Sequence, residues 1–320
     1  MSSRTTTQAA GVASITRSHQ RLLDAAFEIG AVPDPDADSI AFMARRLVQC
    51  TLPQRSPGQV PAWARRTGRL TLTIRHGWDH RNGQQLGYPC GSIPRLLLFW
   101  ITTEATRTKS RRLELSDSLA GFMREIGLDP STGGGKRGDA ARLRDQMTRL
   151  FRATISFDEV LDNGDLNGDQ WLDMAVAPMG QLWWDPKLPE QSTLFGSWIE
   201  LGEACYESSV DAPVPVDLRA LRALKQSPMS LDLYAWLTFR TFRVSQRGKP
   251  AFVPWAAVRQ QLGSDFSDLK NFKKCAKKAL VRVQAVYPDL RVRCVDGGIE
   301  VHPSRPAVLP VASFPRVPLR

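Results

Sequence analysis

The residues of this chain whose types and spacing could do chemistry are cationic, and the chemistry is the holding of anions. Lys270, Lys273, Lys274, Lys277, Lys278 and Arg282 recur at three- and four-residue steps, while Leu269, Phe272, Ala276, Ala279, Leu280, Val283 and Val286 recur at the same steps half a turn round. A single helix over 268–286 can therefore seat an apolar face on a core and hold six cations outward. Such a rod suits a groove of double-stranded DNA, where neutralised phosphates release counterions. A lysine face that serves only solubility would show the same pattern. A second group, Arg142, Gln146, Arg149 and Arg152, lies on the open arc of a helix capped by Asp139, whose buried arc is Leu143, Met147, Leu150 and Phe151. Arg and Gln make bidentate contacts to bases, whereas lysines more often hold phosphates. The alternative for Arg149 and Arg152 is ion pairing, with Asp145 one turn back from Arg149 or with the acidic middle of the chain.

Charge is segregated along the sequence. Residues 1–152 hold 23 Lys and Arg against 13 Asp and Glu, residues 153–215 hold 1 against 12, and residues 216–320 hold 19 against 7. Two basic blocks, each built around amphipathic helices and separated by an acidic one, point to two DNA-facing modules with a non-DNA face between them. The net charge of +11 has a weaker explanation in a membrane surface. No run of about eighteen apolar residues exists to span a bilayer, and the polar stretch Met1 to Ala10 lacks the apolar core of a signal peptide. At 320 residues and 42 % hydrophobic content the chain reads as a soluble protein of about two domains. Its five cysteines, odd in number and widely spaced, indicate neither a disulfide framework nor a thiolate zinc site, and are expected reduced in a bacterial cytoplasm.

Several motifs approach catalytic patterns and fail them. Gly133 to Gly138 has Pro130 where a phosphate loop needs glycine and Arg137 where it needs Ser or Thr, so Lys136 and Arg137 read better as contacts to a nucleic-acid backbone. Asn163 to Gly168 resembles a calcium loop, but Met174 stands where a bidentate Glu is required. His76 and His80 are four apart with Gly77 between them and no third ligand at suitable spacing. There is no His-hydrophobe-His triplet near a tyrosine for a nicking enzyme, and no G-x-S-x-G elbow. The expectation is a protein without cofactor, metal or catalytic activity.

The elements that position the cations follow from periodicity. Residues 1–18 read as a tail, 20–29 and 38–48 as helices, and 69–74 as a half-buried strand. From Tyr88 onward the order is an apolar helix over 96–106, a strand over 111–115, a helix ending at Gly127, the Arg142–Arg152 helix, and a hairpin over 154–160 and 170–177. That is the order of a winged helix, in which the third helix enters the major groove and the hairpin flanks it. Strands over 182–185 and 197–208 lead to the second basic block. There the same order recurs, with helices over 216–224, 228–244, 254–262 and 268–286, then a hairpin over 290–302. The expected fold is α+β, mainly α, with two tandem winged-helix domains over 41–210 and 211–304, an N-terminal tail and flexible helix over 1–40, and a C-terminal tail over 305–320.

At these same residues the chain resembles the RepA-type plasmid replication initiators. The resemblance is carried by Tyr88-Pro-Cys-Gly-Ser-Ile-Pro-Arg-Leu-Leu-Leu-Phe-Trp100, Thr103 to Ser110, Ser118 to Met123, Leu143-Arg-Asp-Gln-Met-Thr-Arg-Leu-Phe151, Ser227-Pro-Met-Ser-Leu-Asp-Leu-Tyr-Ala-Trp-Leu-Thr238 and Tyr287-Pro288, and spans roughly Ala41 to Ser304. It implies a protein that binds repeated double-stranded sites at a plasmid origin, helps open the duplex, and recruits the host initiator and the replicative helicase. More distantly, the chain is similar to tandem winged-helix initiators that bind DNA as monomers and repress or handcuff as homodimers. A winged-helix transcriptional regulator of a plasmid or mobile element is the rival reading, since repressors use the same DNA-reading module.

Overall fold

The structure, a computed structural model, describes residues 16–132, 138–162, 167–193, 195–262 and 266–309. The chain opens with α1 (Arg17–Ala31), capped by Thr16, whose hydroxyl accepts from His19 N. Leu22, Ala25 and Ile29 turn its apolar stripe inward. Where helical periodicity predicts a helix over 38–48, the chain instead makes β1 (Ile40–Met43) and the short α2 (Arg45–Gln49). The run Ile40 to Met43 is buried at every position and pairs with a strand far along the sequence, a non-local partner that overrides local helical spacing.

Next come β2 (Trp63–Thr67), β3 (Leu70–Arg75), the two-residue strands β4 (Trp78–Asp79) and β5 (Gln84–Gln85), α3 (Ser92–Thr108), β6 (Arg112–Glu114), α4 (Leu119–Glu125), α5 (Asp139–Phe151), β7 (Thr154–Asp162), β8 (Asn167–Ala175), β9 (Met179–Gln181) and β10 (Trp198–Glu200). Helix α3 is buried on nearly every side and forms the centre of the first module. Its strand β6 does not pair with the β7–β8 hairpin. The sheet order is β6-β10-β9, which makes β9 and β10 the wing strands, while β7 and β8 extend β2 and β3 into a separate four-stranded sheet, β2-β3-β7-β8. The hairpin expected as the wing is thus an insertion between third helix and wing. Its long alternation is strand-like whichever sheet it joins.

Residues 203–208, expected as strand, belong to α6 (Glu203–Val210), which packs on α3 and β8. Then β11 (Val214–Asp217) closes on β1 antiparallel, with Ile40 opposite Asp217. The second module follows as α7 (Leu218–Leu224), α8 (Pro228–Arg247), β12 (Ala251–Pro254), α9 (Trp255–Gln261), α10 (Leu269–Val286), β13 (Val292–Val295) and β14 (Gly298–Val301). Ser227 caps α8 just before Pro228 at its first turn, and Gly248 ends it at φ 66°. Sheet order β12-β14-β13 and helices α8, α9 and α10 make a complete winged helix, with Gly297 at φ 78° in the wing turn.

The architecture is therefore α+β, with two winged helices in tandem. They share one hydrophobic cluster that runs from Leu97 and Phe122 through Trp236 to Phe272 and Val301. Helix α1 lies against α7 and α10. Among the described residues no helix is long and apolar enough to cross a membrane.

Candidate nucleic-acid interface

Helix α10 is anchored from behind. Phe272, Ala276, Ala279, Leu280, Val283 and Val286 are buried, and the helix rests on α8, α1, α7 and α9. Asp268 caps it by accepting from Lys270 N at 2.9 Å and Asn271 N at 3.3 Å. Of the outward cations, Lys270, Lys274, Lys277 and Lys278 are exposed, and Lys273 is half-buried. None of the five lysines makes an ion pair within the described residues, so their charge is free to meet an anion. Arg282 sits apart from them. It is half-buried and lines a small recess with His19, Leu22, Gln226 and Ser227, at the seam between α1 and α7.

The turn between α9 and α10 is held by the first module. Thr67 Oγ1 donates to Gln260 O (3.2 Å), Thr51 Oγ1 to Gln261 O (3.4 Å) and Gln54 Nε2 to Leu262 O (2.9 Å). Carbonyls left open at the end of α9 are thereby satisfied by residues from across the core. These bonds tie the turn that leads into α10 to the first module.

Helix α5 is arranged differently. Arg142 Nη1 meets Asp139 at 2.8 Å and Arg149 Nε meets Asp145 at 2.9 Å, the ion pair that the sequence offers for Arg149. Gln146 Oε1 accepts from Cys90 N at 2.9 Å and its Nε2 donates to Asp145 at 3.2 Å. Both ends of its amide are thus hydrogen-bonded within the protein. Arg152, the exposed C-cap residue, makes no ion pair within the described residues. Lys136 and Arg137 lie outside the described residues.

Sequence reasoning passed over the cations of the second wing. Arg291 and Arg293 are exposed beside and on β13, and neither has an ion pair among the described residues. Arginine at alternate positions of a strand that follows a recognition helix is the signal that would have found them. The calcium-like turn at residues 163–166 falls outside the described residues. Among the described residues no three His, Cys, Asp or Glu side chains gather as a metal site.

Two winged helices, one with a recognition helix of unpaired lysines, define a DNA-binding protein of tandem winged-helix class. Residues 88–256, more than half of the 320-residue chain, match the family described as plasmid encoded RepA protein, and the chain belongs to that family of plasmid replication initiators. A solved structure, of domain 2 and domain 3 of RctB, is similar to it with 11 % identity and a TM-score of 0.49, over 80 % of this chain and 94 % of that one. No curated protein matches the sequence significantly.

Proposed function

We propose that the chain recognises repeated double-stranded sites at its plasmid origin, helps open the duplex beside them, recruits the host initiator and replicative helicase, and represses or limits copy number as a homodimer. The units of this reading are 41–210 and 211–304, flanked by 1–40 and 305–320. Lys270, Lys273, Lys274, Lys277 and Lys278 hold one stretch of backbone. In the first module the proposed contacts are Arg152 foremost, then Arg142, Gln146, Arg149, Lys136 and Arg137. The free lysine face of α10 carries the proposal, because an interface for phosphates requires cations that the protein itself has not neutralised. No nucleotide takes part, since the sequence lacks a phosphate loop. The work of bending and unpairing comes from backbone contacts and negative supercoiling.

The test is fluorescence anisotropy of origin fragments across a salt series. Replacing Lys274, Lys277 and Lys278 by Ala should weaken binding to every sequence and lower the log-log salt slope by roughly 0.9 for each phosphate that the protein no longer neutralises. An unchanged slope would reduce the stripe to a solubility device and remove the support for this reading. Directly repeated sites protected in footprints beside an AT-rich stretch distinguish an initiator from a repressor.

A further inference from the structure

The small β4–β5 hairpin belongs to neither winged helix, and two glycines set its seat on α5. A Cβ at Gly77 would lie 2.5 Å from the carbonyl oxygen of Arg152 and 2.6 Å from its Cβ, and one at Gly87 would lie 3.0 Å from Nη1 of Arg149. Both arms of the hairpin therefore press bare backbone against the arginines at the end of α5. Leu86 N closes the arms by donating to Gly77 O at 3.0 Å.

The tip is built in advance. Asp79 accepts from Arg81 N at 3.0 Å, Asn82 N at 3.4 Å and Asn82 Nδ2 at 2.7 Å, and Gly83 completes the turn at φ 63°. These bonds, the Asn82 side chain first, hold the Asp79 carboxyl below the usual carboxylate range, and the charge of Arg152 acts in the same direction. With Asp79 committed to the turn, the tip presents Trp78, 46 % exposed, together with exposed His80 and Arg81. Neither Arg81 nor Arg152 has an ion pair within the described residues, whereas Arg142 and Arg149 both do. Arg81 at the hairpin tip and Arg152 at the end of α5 thus stand on adjoining elements, joined by the Gly77 contact.

We propose that the hairpin over 77–87 is a separate DNA-contacting element, in which Arg81, with His80 beside it, clamps the phosphate backbone next to the groove that α5 enters. The inference rests on the DNA-binding reading above and adds a contact outside both winged helices.

The full-length Arg81→Ala protein tests this against Gln84→Ala, an exposed substitution on the same hairpin. Arg81→Ala should weaken binding to origin and random DNA alike and lower the salt slope by roughly 0.9, with Gln84→Ala unchanged. Hydroxyl-radical footprints should lose one protected sugar patch at the flank of the site, while thermal melting stays as in the parent. A slope and footprint unaltered by Arg81→Ala, in a protein whose α10 lysine variants do lose slope, would overturn the hairpin contact and leave the function standing. Loss of slope in neither set would overturn both.

Discussion

Arg95 on α3 and Asp232 on α8 meet in a two-pronged ion pair inside the protein, Nε to Oδ1 at 2.7 Å and Nη2 to Oδ2 at 2.8 Å. The two residues are 2 % and 7 % exposed. Because α3 and α8 are the first helices of the two winged helices, the pair ties one module to the other at their centres. Arg95 also donates to the carbonyls of Leu52, Pro53 and Gly91, so its donors are taken up on every side. Removing one partner of such a pair strands the other charge in the core. Asp232→Ala is expected to cost about 3–5 kcal/mol in urea unfolding. An apolar double replacement, Arg95→Met with Asp232→Leu, should not recover the parent stability, because the buried carbonyls of Leu52 and Pro53 lose their donor at roughly 1–3 kcal/mol each. Full recovery would show that those carbonyls find other partners.

The same junction bears on how DNA is read. Pairing of β1 with β11, the Arg95–Asp232 contact and the bonds from Thr51, Gln54 and Thr67 to the α9 turn hold α5 and α10 in one frame. A rigid frame tolerates a single separation of its two half-sites. Inserting about five base pairs, half a helical turn, within one origin repeat should abolish tight binding, and about ten should not restore it fully, since the added separation remains. Equal affinity for the parent and the half-turn insert would mean that the modules move independently.

The helices and the β13–β14 hairpin of the second winged helix were legible in the sequence, because that pairing is local and has Gly297 in its turn, whereas β12, which pairs with β14 at Ala251 opposite Val301, was not. In the first, the helices and the strands β3, β6, β7 and β8 were legible one by one, but not how the strands pair beyond the β7–β8 hairpin. Strand β6 finds its partner β10 more than eighty residues on, at Leu113 opposite Ile199, and nothing in either strand announces the other. The β7–β8 alternation was plain, yet its attachment to β3 is fixed by burial of Leu72, Ile74, Ile155 and Phe157 on one shared face. At the interface, the lysine stripe of α10 could be read because its buried complement has the same period. The engagement of Gln146 by Cys90 N could not, for it depends on a loop that only the fold brings to α5.

Asp145 offers a direct test of how α5 carries its charge. Its carboxylate holds Arg149 at 2.9 Å and accepts from Gln146, and it stands on the open arc where phosphates would approach. Asp145→Ala should release a guanidinium and remove a repelling charge together, which raises affinity for any DNA and steepens the salt dependence. The gain is expected on random and origin sequences alike. Weaker binding by the variant would show that the pair orients Arg149 for its contact.

Thiol chemistry can report on the second wing. Cys205 is buried, and burial first of all pushes its thiol up to about 12, although a hydrogen bond with Ser209 acts the other way. Burial likewise raises the Cys50 thiol. A raised thiol pKa leaves less thiolate at any given pH, and the thiolate is the nucleophile. At about pH 8 an alkylating reagent should therefore spare Cys50 and Cys205 in the folded protein and take Cys294, the exposed cysteine of β13, first. Arg293 directly precedes Cys294 on β13, and Arg291 stands just before the strand. Origin DNA should slow alkylation of Cys294 severalfold while leaving the unfolded-state rate unchanged, as read by mass spectrometry of the labelled peptide. If bound DNA leaves the Cys294 rate untouched, the second wing stands clear of the duplex and its two arginines drop out of the interface.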